Sequence, residues 1–277
     1  TQFYGRATSI MCLAVRARML LFAASPLVNG NEWYKGFKNY DGRERFAQSY
    51  DANKWKRAAT ACKELIDAAH AAGHDLIREY NADGSIDPFM SCYNLFFLRG
   101  DLNKEALFCR PDCNYWDFEA HTTPRGASGN GGLGITQTLV DAFYMKDGSI
   151  PISSYKGNYG TPNINAESGY TERGFSAQKD IRKTKYNLYR GCPGATVDSV
   201  GADGCTYNQV AAAGTYNMYV NREPRFYLTV MWNRQWYHQA SRETQFMSNE
   251  PDGGPTHDAP QSGYLNRKKV SLEQKNR

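Results

Sequence analysis

The 277-residue chain lacks a long apolar run. The longest, residues 19–28, is broken by Ser25 and Pro26, well short of the ~20 residues that span a bilayer. It lacks charge of one dominant sign: 33 basic and 28 acidic residues leave +5, spread along the chain. A nucleic-acid binder usually clusters its charge and exceeds this chain's pI of 8.7, so no nucleic-acid partner is expected. There is no CxxC, which removes the usual zinc-ribbon spacing. There is no HExxH or GxSxG, which removes the zincin and nucleophile-elbow signatures. Nor is the chain poor in apolar residues; 41% is too much for bulk disorder. Residues 11–25 loosely imitate a signal peptide, but ten residues precede them and a helix stripe explains them better, so no export signal is expected in this chain.

What the chain has is aromatic: 19 Tyr, 13 Phe and 5 Trp alongside 25 Gly. Rings on glycine-rich loops suit recognition surfaces as well as a core. Two helices are legible. Ile10, Leu13, Ala14, Ala17 and Leu21 keep helical spacing until Pro26. A second helix starts at Asp51 or Asn53, carries Trp55, Ala58, Ala59, Cys62, Leu65, Ile66 and Ala69 on one face, and stops at Gly73. Alanine-rich faces let helices approach closely, so a hairpin of the tetratricopeptide type is expected. Residues 29–50 and 110–134 read as loops, 88–98 as a short apolar helix, and 136–145 as a helix capped by Thr136. Residues 186–189 and 225–232, aromatic and partly β-branched, read as strands.

Cysteine is odd in number, at seven. Cys12, Cys62 and Cys92 lie in apolar patterns and read as buried thiols. Cys192 and Cys205 bracket a glycine-rich stretch that a disulfide could close in an exported protein, although sequence does not fix pairing. Gly129, Gly131 and Gly134 spell GxGxxG, but no strand precedes them, so a flexible loop is the better reading than a phosphate cradle. His70 and His74 are four apart, but Gly73 ends the helix between them; they read as solvated helix-end residues, not ligands. Asp198 and Asp203 match no EF-hand spacing; the sequence leaves calcium open, and no other metal and no cofactor is expected. The run Arg267-Lys268-Lys269 reads as a solvated strand edge.

Asp117 and Glu119 are the one acidic pair in an aromatic loop that could be tested for glycoside hydrolysis. The same loop suits binding better. Sugar rings offer apolar C–H faces ringed by hydroxyls, which flat aromatic side chains and polar neighbours match. Tyr115-Trp116-Asp117-Phe118 with His121 and Arg125 has that mixture, as do Trp33-Tyr34 and residues 232–237.

Six segments, in order, resemble the SusD/RagB family of Bacteroidetes outer-membrane nutrient-binding proteins. They are the helix ending Ala17-Arg18-Met19-Leu20-Leu21-Phe22-Ala23-Ala24-Ser25-Pro26-Leu27, its partner from Trp55 to Ala59, the segment Asn103-Lys104-Glu105-Ala106-Leu107-Phe108, the stretch from Thr136 to Gly148, Asn221-Arg222-Glu223-Pro224-Arg225-Phe226-Tyr227, and the stretch from Ser262 to Lys269. The resemblance implies a mostly α fold, with a tetratricopeptide-like hairpin part over residues 1–108 and a loop-rich part with a few short strands over 109–277. It implies a surface lipoprotein of the outer membrane that captures oligosaccharide beside a TonB-dependent SusC-like transporter, with no catalysis. It places ligand-contacting residues in the loop after the Asn103–Phe108 motif: Tyr115, Trp116 and Phe118 for stacking, and Asn114, Asp117 and Arg125 for hydroxyls. Arg222, Pro224, Arg225 and Asp141 are structural in that reading. Against the family pattern the chain lacks the signal peptide, the lipid-bearing cysteine and helices at both ends, which reads as a fragment. The competing expectations are a tetratricopeptide-like protein-interaction scaffold without a sugar site, and a hydrolase using Asp117 and Glu119.

Overall fold

In the computed structural model, which describes residues 5–98, 100, 102–110, 116–157, 160–254, 258–268 and 270–273, Thr8 opens the first helix. Its hydroxyl accepts from the Met11 N–H at 3.1 Å, satisfying one of the donors a helix start leaves unpaired. The helix, α1, spans Ser9–Ala24 and ends before Pro26. A second, α2, spans Asn53–Ala71. Asp51 sits one residue before its cap, and its carboxylate takes the Asn53 N–H at 2.9 Å. Gly73, at φ +87°, closes it with a Schellman pair: His74 N–H to Ala69 O at 2.9 Å and Gly73 N–H to His70 O at 3.0 Å.

The two helices pack on each other through small side chains: Ala17, Ala24, Ala58, Ala61 and Ala69 are buried. Asn29, 3% exposed, ties the end of one to the approach of the other. Its amide donates to Ala24 O and Asp51 O and accepts from the Asp51 N–H at 3.1 Å. Cys12 is exposed and Cys62 and Cys92 are half-buried, so the expectation of sealed thiols fails. The alanines, not the cysteines, line the close approach.

These helices belong to the first of two units, Thr1–Ile77 with Leu98–Cys113; the second is Arg78–Phe97 with Asn114–Arg277. The first unit's two segments are joined by backbone: the Asp75 N–H donates to Lys104 O at 3.2 Å.

In the second unit, α3 spans Pro88–Phe97, α4 Trp116–Thr122, α5 Gln137–Ala142 and α6 Pro224–Thr229. The strands form four small antiparallel sheets. β1 (Ile152–Lys156) pairs with β2 (Thr161–Ile164). β5 (Thr206–Ala211) lies between β3 (Asp180–Lys183) and β4 (Ser199–Val200). β6 (Val230–Met231) pairs with β9 (Leu265–Asn266), and β7 (Trp236–Tyr237) with β8 (Arg242–Glu243). Six α-helices and nine short strands among the described residues agree with the mostly helical expectation in outline.

Four local expectations are corrected. Residues 116–122 are helical rather than loop. Residues 225–232 are mostly α6, because Pro224 at its first turn has φ already set for a helix and has no N–H to lose; strand follows only at β6. Residues 186–189 are irregular chain leading into a turn at 188–191, and Tyr186, Leu188 and Tyr189 are buried in the core without ladder bonds. Cys192 and Cys205 are free thiols, each Sγ lying 3.8 Å from a local carbonyl, of Pro193 and Asp203 respectively.

The core of this unit is aromatic. Phe226 stacks on Trp232 at 5.6 Å and Tyr219 stacks on Trp232 at 5.3 Å. Trp232, Trp236 and Tyr237 are all buried, so the WNRQWY run packs the interior rather than a surface. Several polar groups inside are bonded. Arg222, fully buried, donates to Met218 O, Val140 O and Phe143 O at 2.6–2.8 Å, and its guanidinium lies 4.8 Å from the Phe226 ring centre. The family resemblance implies this structural role. Asp180 accepts from Arg182 Nη2 and from the Tyr227 hydroxyl, both at 2.8 Å. Arg267 is 2% exposed, contrary to the reading of residues 267–269 as a solvated edge; Lys269 lies outside the described residues.

Candidate functional site

Of the residues expected to form a site, Trp116, Asp117, Phe118 and Arg125 line none of the three cavities described below. Asn114 and Tyr115 lie outside the described residues. Trp116, 63% exposed, and Asp117, also exposed, start α4, while Phe118 is half-buried behind them. Arg125 is half-buried on a 3₁₀ turn at Arg125–Ala127. Asp117 and Glu119 are two apart on a helix, and side chains at i and i+2 do not face each other. They do not make the opposed pair that glycoside hydrolysis needs.

The glycines of the GxGxxG run serve close backbone packing. A Cβ on Gly129 would sit 2.1 Å from Thr123 O, and one on Gly132 2.8 Å from His121 Nδ1. The helix that follows, α5, has six residues.

A cavity of about 620 Å³ opens instead beside α5 and the β1–β2 hairpin, lined by Gln137, Asp141, Tyr155, Glu172, Tyr216 and Tyr264 among others. Thr136 places α5: its hydroxyl accepts the Leu139 N–H at 3.3 Å. One turn on, Asp141 is 4% exposed and takes the Gln137 amide at 2.7 Å on one oxygen and the Tyr155 hydroxyl at 2.9 Å on the other. The chain of donors continues: Tyr219 donates to Tyr264 at 3.1 Å, and Tyr264 to Gln137 Oε1 at 2.9 Å. Every hydroxyl in this relay therefore has a fixed direction.

Burial and the Asp141 carboxylate push the Tyr155 phenol up to about 12, with Glu172 adding to it. Burial is also the main reason Tyr219 and Tyr264 are raised. All three stay neutral donors at physiological pH. Tyr155 is 43% exposed, and Tyr216 packs edge-on to the exposed Phe175 at 5.3 Å.

The cavity therefore combines aromatic surface, carboxylates and an amide, with Gln137, Asp141 and Tyr155 held by the relay. Such a lining accepts hydrogen bonds from several hydroxyls of a flat, partly apolar ligand. Sequence reasoning missed Tyr155, Glu172 and Tyr216, which sit in a polar Gly-, Tyr- and Asn-rich stretch with no motif. Their one signal was tyrosine density. Asp141 read as structural; it is that, and it also lines the cavity.

Two further cavities are present. One in the first unit, of about 390 Å³, is lined by Arg6, His74, Asn103 and Phe108 among others. One in the second unit, of about 520 Å³, is strongly apolar and lies beside α3, α5 and α6.

The SusD family model matches residues 101–277 of this chain. Among solved structures, BT4246 is similar, with a TM-score of 0.61 at 21% identity over 95% of this chain and 44% of its own. At that identity the likeness is one of fold, and this chain spans less than half the length of that protein. No curated protein matches.

Proposed function

Because the chain belongs to the SusD family, we propose that it binds oligosaccharide without cutting it, in the cavity built around Asp141, Tyr155 and Tyr216. The family generally binds carbohydrate in nutrient uptake and is generally non-catalytic. The observation that carries the reading here is the relay from Tyr219 through Tyr264 and Gln137 to Asp141 and Tyr155. It fixes donors and acceptors in advance, so a ligand's hydroxyls meet groups that need not reorganise. Tyr155 and Tyr216 supply the apolar face against which a sugar ring stacks.

In this reading the protein works at the outer-membrane surface as a lipid-anchored lipoprotein and hands its ligand to a TonB-dependent SusC-like transporter. The α1–α2 pair, closed by alanines, is one hairpin of a tetratricopeptide-like scaffold. No helix among the described residues is long and apolar enough to cross a membrane, which suits anchoring by lipid.

A second place for a sugar is favoured by one observation, the 63% exposure of Trp116 beside Asp117. In that arrangement Tyr115, Trp116 and Phe118 form the platform, and Asn114, Asp117 and Arg125 take hydroxyls.

Calorimetry against an oligosaccharide panel decides between them. With the cavity as the site, Tyr155→Ala weakens binding by about 1–3 kcal/mol and Trp116→Ala leaves it unchanged. The reverse result moves the site to α4. Absence of binding to every glycan, with transporter binding retained, leaves a protein-interaction scaffold. Release of shortened products, lost in Asp117→Asn or Glu119→Gln, would make the protein a hydrolase.

A further inference from the structure

The apolar cavity beside α3, α5 and α6 contains an electrostatic imbalance. Its wall includes Phe96, Phe97, Leu139, Leu228 and Val270, and among the described residues that line it there is no carboxylate. There are three cations, and two are already satisfied. Arg225 pairs with Glu223 at 2.7 Å. The Lys268 ammonium lies 4.5 Å from the centre of the Phe96 ring.

Arg267 is different. It is 2% exposed, and its Nε donates to the Tyr186 hydroxyl at 3.3 Å. Its two terminal nitrogens have no partner among the described residues. A buried guanidinium left in this state is costly, and a carboxylate is the group that matches its two parallel donors. The uncompensated charge is felt nearby, where Arg267 adds to burial in holding His238 down.

We propose that this groove seats an amphipathic helix that lays apolar side chains against Phe96, Phe97 and Leu228 and brings one carboxylate to Arg267.

A helix is chosen over an extended peptide because the strand at the groove has no free edge. β9 pairs with β6 on one side. On its other side Leu265 bridges Gly134, and the Asn266 N–H donates to Leu133 O at 2.9 Å. An extended segment entering an apolar groove would leave its own backbone unpaired, whereas a helix satisfies its backbone internally and anchors through i, i+3, i+4 and i+7. The stated chemistry of the partner is thus leucine-like residues at helical spacing with one Glu or Asp on the same face.

The test uses labelled peptides of about 18 residues, long enough for marginal helicity. They carry Leu at i, i+3, i+4 and i+7, with Glu at varied positions on that face and matching Gln twins. Fluorescence anisotropy against the full chain should show at least one Glu peptide binding about tenfold or more tightly than its Gln twin. Arg267→Met should erase that preference, and Phe96→Ala should weaken both peptides. If Arg267→Met does not fold, the Glu/Gln comparison on the unaltered chain carries the test. Equal binding of the twins, no binding of any peptide, or binding of sodium dodecanoate without any peptide overturns the proposal; the last result would make the groove a site for a free alkyl carboxylate.

Discussion

The two units of this chain bury very different things. In the first, the buried apolar side chains among the described residues are Ile10 and five alanines, while Met19, Leu21, Phe22 and Ile66 are exposed. In the second, Trp232, Phe226, Tyr227, Phe89 and Tyr186 form one aromatic core around Leu188 and Val210. The first gains its order from close helix approach and from Asn29 bridging two chain segments. The second gains it from area removed from water, at about 25 cal/mol per Å², and from buried polar groups such as Arg222 that are bonded to backbone. Regular secondary structure and core strength are therefore uncoupled here: the more regular unit has the thinner core.

The widest separation between the units should appear on truncation. Trp232→Ala removes the ring on which Phe226 and Tyr219 stack and should cost about 3–5 kcal/mol. Met19→Ala, on a 66% exposed side chain, should stay within about 0.5 kcal/mol. Urea unfolding of both variants checks this. Similar losses in the two would mean that the first unit holds a core that exposure does not reveal.

Proton uptake sharpens the same contrast, because the second unit buries an imidazole. Burial first, and the charge of Arg267 second, bring His238 down from 6.5 to about 4. The unfolded chain takes up this proton below about pH 6.5, whereas the folded chain does so only near pH 4. The contribution is therefore fully present above pH 6.5 and is lost as pH falls from 6.5 towards 4, by about 3 kcal/mol in all. Stability of His238→Gln against pH should be flatter over that window. A curve parallel to the unaltered protein's would show that the ring is solvated and that its depression is absent.

How much of this was legible follows the same divide. α1, α2 and the Gly73 stop were readable because a 3.6-residue stripe and a capping glycine are local signals. Thr136 was readable as a cap for the same reason. The second unit defeats local reading, because its apolar residues serve a core reached from turns. Residues 186–189 have strand composition but take no ladder partner, and residues 225–232 have it too but follow a proline that starts a helix. The Arg267 run looked solvated because three cations in a row usually are. The cavity residues Asp141, Tyr155, Glu172 and Tyr216 are up to 75 positions apart and share no spacing rule. The order of motifs along the chain carried the family resemblance, while the cavity is assembled by tertiary contact.

If the first unit depends on close approach, adding bulk at its seam should harm it more than removing exposed bulk. Ala58 is 1% exposed and Ala61 likewise. Ala58→Leu places three extra carbons where α1 meets α2 and should cost about 1–3 kcal/mol. Helical circular dichroism during thermal melting reads the effect directly. A neutral substitution would show that the helices are held apart by other contacts and that the small residues are incidental.

The smallest expected effect tests whether charge rather than shape holds that pair. Arg16 on α1 and Glu64 on α2 form an ion pair across the seam, with side chains 52% and 48% exposed. Solvent screens such a pair, and fixing two long side chains costs entropy that offsets most of the Coulomb gain. A double-mutant cycle with Arg16→Ala and Glu64→Ala should give a coupling of about 0.5 kcal/mol or less, falling further with added salt. The geometry alone invites the opposite view, because this is a direct ion pair between the two helices. A coupling above about 1.5 kcal/mol that persists in high salt would mean the seam is electrostatic, and the alanine faces would then be a consequence of the close approach rather than its cause.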